Sequence, residues 1–421
     1  MKTLSLDLKL LAPTCIANRP TARGQIVETL SYLSGTALRG AVAERLLAGR
    51  RPAALPPDER ALFQRAFLAG ELRFAHGWPQ PEPTATTQVV PRSAGGYKRD
   101  EGWRTKAGRG VFDRLAAMLR LHRLDAQGSS AIWDELAHQA DQQMTELEPL
   151  NQSFASVTTR IWCGCTPTRR LISRTAITSM ERGLPTAGRD VAADGQLYSF
   201  EALEVGQTFR ATVRGPEGLV AWLTQDALMA SVGDTRSTLT LGQGRSRGLG
   251  LVELVNVVDA YKPELRTAGT LAAQARAFSE RAGLPATEGY YLPVTLEADT
   301  ILRDNYLLPC GSGDPTITLA RYRPLINPDG TPCPMTLYDA LQSSRWLGGW
   351  ELLRRMPRPP QLAVTQGSVW VYHVPHDAAL DAAIDWWLAA EQTGLGERCA
   401  EGFGRVRLLH PFHAEARQGG W

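Results

Sequence analysis

The feature that most constrains this chain is a glycine-rich pattern that occurs twice. Gly248-Leu-Gly250-Leu-Val252 is echoed by Gly402-Phe-Gly404-Arg-Val406, each after a helical stretch and before an apolar, strand-like one. A pattern repeated with the same flanks implies two copies of one α/β unit rather than a single large domain. The 421 residues, 43% of them hydrophobic, are enough to fill two cores. The expected division is a first domain over residues 1–262, a linker with a short helix over 263–289 and a second domain over 290–421. A loop and helical inset at about 78–150 interrupts the first.

Local patterning supports a mixed fold. Leu4, Leu6, Leu8 and Leu10 alternate with Ser5, Asp7 and Lys9, the period-two pattern of a half-buried strand. Leu38, Ala41, Val42, Arg45 and Leu46 fall at helical spacing behind a capping Ser34 or Thr36, and that helix should end near Gly49. Further helices are expected at about 58–69, 217–231, 270–282 and 377–391, and strands at 71–74, 157–161, 208–213 and 251–257. Residues 111–148 predict two helices in which seven acids face three arginines. They read as an acidic appendage turned away from any polyanion.

The glycines exclude two familiar phosphate sites. A dinucleotide fingerprint needs GxGxxG between a strand and the helix after it, whereas here the helix comes first. A P-loop needs a lysine after its last glycine, and none follows. What remains is a loop short of side-chain bulk carrying Arg245, Ser246 and Arg247, where a ribose-phosphate backbone can approach peptide N–H groups; a tight turn would explain the same glycines. Charge favours the first reading. The formal charge is only +3, but basic residues are concentrated. Residues 9–51 hold Lys9, Arg19, Arg23, Arg39, Arg45, Arg50 and Arg51 against Glu28 and Glu44. Residues 160–189 hold six arginines against Glu181. Local patches on a nearly neutral chain suit a shaped RNA groove better than indiscriminate polyanion binding.

Apolar runs fall short of the roughly 20 residues a membrane helix needs, so no membrane partner is expected. Six scattered cysteines without a secretory segment point to a reducing, cytoplasmic setting. Cys163-Gly-Cys165 and the pairs His373/His376 and His410/His413 match no zinc module, so no metal and no cofactor are expected.

Ser34-Gly35-Thr-Ala-Leu38-Arg39-Gly40 and the segment from Gly242 to Gly250 together resemble the first-helix motif and the glycine-rich loop of the RAMP superfamily of CRISPR effector proteins. Leu347-Gly-Gly-Trp350, Pro357 to Pro360, Gly367-Ser-Val369 and Gly396 to Gly404 resemble the second domain of the large crRNA 5′-handle-binding subunit of type III-D complexes. The resemblance spans most of the chain, although residues 78–150 carry none of its motifs. It implies an α+β fold of two ferredoxin-like (RNA-recognition-motif) domains in tandem, with a helical insertion in the first. It also implies a subunit that caps the crRNA 5′ handle, contacts the large signature subunit and starts the row of backbone RAMP subunits in antiviral defence, meeting target RNA only indirectly. The residues it implicates in RNA binding are Gly35, Arg39, Gly40, Gly242, Gly244, Arg245, Ser246, Arg247, Gly248 and Gly250. Arg398, Gly402, Gly404 and Arg405 would follow in the second loop, and Arg174 beside a thumb hairpin at about 175–195.

Within that superfamily the handle processor is a metal-independent ribonuclease that uses a histidine or a comparable general acid or base near the first helix, and the first histidine here, His76, lies beyond it in sequence. The backbone cleaver uses an aspartate after the first strand, and no aspartate occurs between Asp7 and Asp58. The expectation is therefore a non-catalytic binder, with a RAMP endoribonuclease acting on precursor crRNA or target RNA as the alternative. A small-molecule enzyme on a two-domain α/β fold would need converging titratable groups, which the sequence does not offer.

Overall fold

The structure is a computed structural model that describes residues 1–17, 27–98, 102–103, 110–141, 146–158, 161–177, 192–228, 237–259, 266–311, 319, 321–323, 325, 330, 333–351 and 356–414. The chain forms two compact units from interleaved segments. Unit 1 comprises Met1–Pro79, Pro167–Ala260 and Leu347–Pro360, and unit 2 comprises Gln80–Thr166, Tyr261–Trp346 and Gln361–Trp421.

Unit 1 is built on β1 (Lys2–Leu10), α1 (Gly35–Leu47), β2 (Arg73–Phe74), β3 (Thr208–Gly215), α2 (Glu217–Leu223) and β4 (Leu251–Asp259). The strands lie in the order β4-β1-β3-β2, every pair antiparallel, with the short strand Thr238–Thr240 added outside β4. This is the βαββαβ order of a ferredoxin-like sheet. The leucine alternation of β1 sends Leu4, Leu6, Leu8 and Leu10 into the core with Leu38, Val42, Leu219, Val220 and Leu223. At roughly 1.5–3 kcal/mol per buried leucine, this one strand accounts for much of the sheet's attachment to its helices. The solvent-side residue Asp7 pairs with Arg210 on β3 at 2.7 Å.

Ser34 Oγ accepts the Ala37 N–H at 3.2 Å to start α1, and Ala48 ends it in the left-handed region at φ 46°. The helix therefore stops one residue before the Gly49 expected from sequence. The second predicted helix is regular over Pro57–Phe63 and widens to a π-type turn over Gln64–Leu68. The segment from Glu217 does the same, being regular to Leu223 and widened over Thr224–Leu228. Arg169–Ile177 and Ala192–Leu203 pair as an antiparallel ladder in which Arg174 stands opposite Tyr198. This ladder is the base of the expected thumb hairpin. The side chain of Arg174 and residues 178–191 lie outside the described residues.

Unit 2 repeats the strand order. β5 (Tyr290–Leu296), β6 (Thr336–Leu341), β7 (Val369–Val374) and β8 (Val406–Leu408) lie as β8-β5-β7-β6, and α3 (Asp377–Thr393) joins β7 to β8. β5 reads Tyr-Tyr-Leu-Pro-Val-Thr-Leu and is buried along its whole length, a strand covered on both faces.

The inset expected within the first domain belongs to unit 2. Its helix Leu115–Ala126 places Leu115 and Leu119, both fully buried, in one core with Leu271, Ala275 and Phe278 of the helix Ala268–Arg281. That second helix, expected as part of a linker, is thus a core element. Asp113, one of the seven acids of residues 111–148, accepts from Ser93 Oγ at 2.7 Å and the Leu115 N–H at 3.1 Å, and its other oxygen meets His413 Nδ1 at 2.8 Å. His413 Nε2 lies 3.1 Å from Thr295 Oγ1 on β5. Burial pushes the Asp113 carboxyl up, but its contact with His413 and the bonds from Ser93 and the Leu115 N–H outweigh this and hold it below its ordinary range. Net charge suggested an appendage, but the apolar stripe of the helix decides its place. A second cluster joins Val90, Trp103, Val111, Ala155 and Trp162 to Phe412.

Candidate nucleic-acid interface

The glycine-rich loop of unit 1 runs between the strand Thr238–Thr240 and β4. Leu241 N–H bonds to Gly250 O at 2.8 Å and closes it. Gln243 N–H to Cys15 O and Gly250 N–H to Pro13 O, both 2.9 Å, fasten it to the chain just after β1. Arg245–Arg247 form a single 3₁₀ turn, with Gly244 and Gly248 left-handed at φ 73° and 80° on either side. The glycines have different reasons. A Cβ on Gly242 would stand 2.1 Å from Cys15 O, and one on Gly250 would stand 1.9 Å from Leu241 O, so the chain's own packing requires both. Gly250 is buried beneath the turn. A Cβ on Gly248 would meet nothing within 4 Å, and Ser246, Arg247 and Gly248 are exposed. The absence of bulk read from sequence as room for a ribose-phosphate backbone therefore applies at the crest of the loop and not at its base.

The first-helix motif also divides. Gly35 is buried and its N–H donates to His76 Nδ1 at 2.9 Å. The Arg39 guanidinium lies 5.8 Å from the Phe67 ring centre and donates to Phe67 O, which ties α1 to the π-type turn. Gly40 is exposed, with nothing within 4 Å of where its Cβ would be. One turn further on the same face, Glu44 is exposed and pairs with Arg245 of the loop. Arg45 donates to Thr238 O at 2.9 Å. Gly40, Glu44, Arg245, Ser246, Arg247 and Gly248 thus make a continuous ridge of helix and loop. Sequence reading missed Glu44, which counted only as an acid diluting a basic stretch. The i, i+4 spacing from Gly40 was the available signal.

The fold also revises two distances that sequence suggested. His76 follows α1 by many residues, yet Leu33 and Gly77 pair in a bridge that brings its ring to the start of that helix, stacked on Tyr32 at 4.8 Å. It is buried there, with 2% of its surface exposed. The Cys15 thiol beside the loop is pushed up to about 11, first by burial and then by the Glu201 carboxylate, which leaves it a neutral packing group at pH 7.

The second loop has the same geometry and different chemistry. Leu395 N–H to Gly404 O at 2.9 Å closes it, and Glu397 N–H to Ile301 O and Gly404 N–H to Asp299 O, both 2.9 Å, fasten it after β5. Gly396, Arg398, Gly402 and Gly404 have φ of 84°, 60°, 95° and 71°. Arg398 stands where unit 1 has Gly244, and its side chain turns inward. It lies 4.4 Å from the Phe403 ring centre, bonds Glu401 at 2.7 Å and Gln361 at 3.2 Å, and is 14% exposed. Arg405 pairs with Glu297 at 2.9 Å and Glu397 with Arg303 at 3.0 Å. In the second loop Glu397 and Glu401 stand beside the two arginines expected to meet RNA, and these side chains bond within unit 2. Asp299, the acid after β5, is fully buried against Arg345 and the Gln366 N–H. Among the described residues no three His, Cys, Asp or Glu side chains converge as a metal site would require.

No protein-family model and no curated protein matches the chain. Solved structures resemble it distantly. A chain of the type III-B Cmr-beta complex bound to cognate target RNA and AMPPnP aligns with TM-score 0.38 and 8% identity, covering 87% of this chain and 86% of that one. A second chain from the Cmr-beta complex with target RNA gives TM-score 0.31 and 12% identity over 60% of this chain and 96% of that one. A CRISPR associated protein Cas6 gives 0.33 and 8% over 96% and 98%. The described residues include no helix long and apolar enough to cross a membrane.

Proposed function

We propose that the chain is a non-catalytic RNA-binding subunit of a type III, III-D-like CRISPR effector complex, built from two tandem RAMP domains and seated on the 5′ handle of the crRNA. The observation that carries this reading is the ridge on unit 1, where a helix with an open glycine and a rigid arginine-bearing turn lie side by side on one exposed surface. A strand laid there meets arginines on one side and unobstructed backbone on the other, the combination that single-stranded RNA recognition uses. Unit 2 serves as scaffold in this reading, and the large signature subunit and the backbone RAMP subunits are the protein partners. Target RNA is reached only through the guide. Direct binding of handle RNA by the purified chain, measured by fluorescence anisotropy, tests the proposal. Failure to bind in low salt would overturn it.

A RAMP endoribonuclease is the second reading, because the fold sets His76 against the start of α1. A general acid or base must reach the atom whose proton it moves, and burial of this ring beneath Tyr32 weighs against that role. Incubating labelled precursor and target RNA with the protein, with and without Mg²⁺, separates the two. Sequence-specific cleavage abolished by His76→Asn in a folded protein would favour the nuclease.

A further inference from the structure

Glu44 is an anomaly on an RNA-binding ridge. A carboxylate beside Arg245 repels each phosphate the arginine attracts, and it is not needed as a tether. Arg45 already bonds Thr238 O, and the loop is fastened through Cys15 O and Pro13 O. An exposed ion pair of this kind adds little to stability. Its use is better sought in what a carboxylate and a guanidinium, held together, can recognise.

We infer that Glu44 and Arg245 form a subsite for one guanine of the bound strand. The inference rests on the RNA-binding reading above and deepens it. A carboxylate offers two acceptor oxygens side by side. Among the four bases only guanine presents two adjacent donors, N1–H and the N2 amino group, and its neighbouring O6 accepts from a guanidinium. Adenine, cytosine and uracil each offer a single donor position at that edge. Such a pairing converts Glu44 from a liability into a selector: a phosphate alone is opposed, whereas a strand with guanine in register satisfies both side chains. Gly40, one turn before Glu44, leaves the helix surface open for the nucleotide, and the αL glycines on either side set the shape of the Arg245 turn. Edge recognition of splayed bases is how proteins read single-stranded RNA.

The test uses the full-length protein and octauridylates whose fourth position is uridine, guanosine, inosine, adenosine or 2′-deoxyguanosine, with affinity read by anisotropy at fixed salt. The wild type should bind the guanosine oligomer about tenfold more tightly than the adenosine or uridine ones, the size of discrimination one bidentate base contact gives. Inosine, which lacks the N2 amino group, should fall between them, and deoxyguanosine should match guanosine. Glu44→Gln should erase the guanine preference and tighten octauridylate binding, since a negative charge is lost. Arg245→Ala, which strands the carboxylate, should weaken binding to all five. The inference is overturned if Glu44→Gln tightens every oligomer equally, or if the wild type ranks guanosine with adenosine. It is also overturned if removing the 2′-hydroxyl, rather than the N2 amino group, abolishes the preference. Absence of binding to any oligomer and to handle RNA would instead bring down the RNA-binding reading, and this subsite with it.

Discussion

Glycine at position 40 sits in the middle of α1, exposed, with no neighbour within 4 Å of where a Cβ would go. Nothing among the described residues asks for glycine there. Alanine in a helix interior is better by about 0.8–1 kcal/mol, which for a unit of this size raises the melting temperature by about 2–4 °C. Gly40→Ala should therefore give a more stable protein. If an RNA strand lies against the helix at that point, the added methyl must also push it away. Overpacking a close contact costs about 1–3 kcal/mol, roughly a five- to 150-fold rise in Kd for handle RNA. Calorimetry and anisotropy on one preparation read both quantities. A variant that melts higher and binds RNA as before would refute the placement of RNA over α1. Gly250→Ala is the counterpart. Its methyl would stand 1.9 Å from Leu241 O at φ 80°, so the loop must distort, and the melting temperature should fall together with affinity. The opposite signs of the two stability changes separate a glycine kept for an external partner from one kept for its own backbone.

Three further outcomes follow from the same geometry. Arg247→Ala should make the slope of log affinity against log salt shallower by about 0.7, the contribution of one phosphate on a single strand, and an unchanged slope in a folded protein would remove this arginine from the interface. Burial keeps His410 neutral well below the usual imidazole value of 6.5, whereas the unfolded chain takes up a proton near that value. Stability is thus complete above about pH 6.5 and falls as the pH drops below it, by at most about 1.4 kcal/mol per pH unit for one proton. Melting curves from pH 7.5 to 5 should be flatter for His410→Asn, and equal slopes would discount this histidine. Leu119→Ala should cost about 2–5 kcal/mol, although the segment around it is acidic and reads as an appendage; a change under about 0.5 kcal/mol in urea denaturation would contradict its place in the core of unit 2.

The sheet of unit 1 was legible because each signal was local. Leucines at every second position of β1, Ser34 before α1 and the glycine pattern after Thr240 each fix their own few residues. The repeat itself was legible in Gly248-Leu-Gly250 and Gly402-Phe-Gly404, and it extends to backbone angles and hydrogen bonds. Assignments that depended on remote partners were not legible. Nothing near Leu115 or Leu119 says that Phe278 covers them, and nothing near Asp113 says that His413 bonds it. The arginines show the same limit. Arg39, Arg245 and Arg398 look alike in sequence, but Phe67, Glu44 and the Phe403–Glu401 pair give them different tasks. Composition records how much charge a segment carries, and only the fold records where it is spent.

The bond between Asp113 and His413 joins residues 300 positions apart. During synthesis at about 5–20 residues per second, Asp113 and Trp103 leave the ribosome roughly 15–60 s before His413 and Phe412, which cover them. Through that interval the Trp103 ring faces water or a chaperone. Unit 1, by contrast, has its whole sheet once residue 259 has emerged. The sheet of unit 1 can thus form first, and the core of unit 2 closes only when the helix at Pro411–Ala414 arrives. A ribosome stalled anywhere in the last stretch would hold a finished unit 1 sheet together with an open, aggregation-prone core in unit 2.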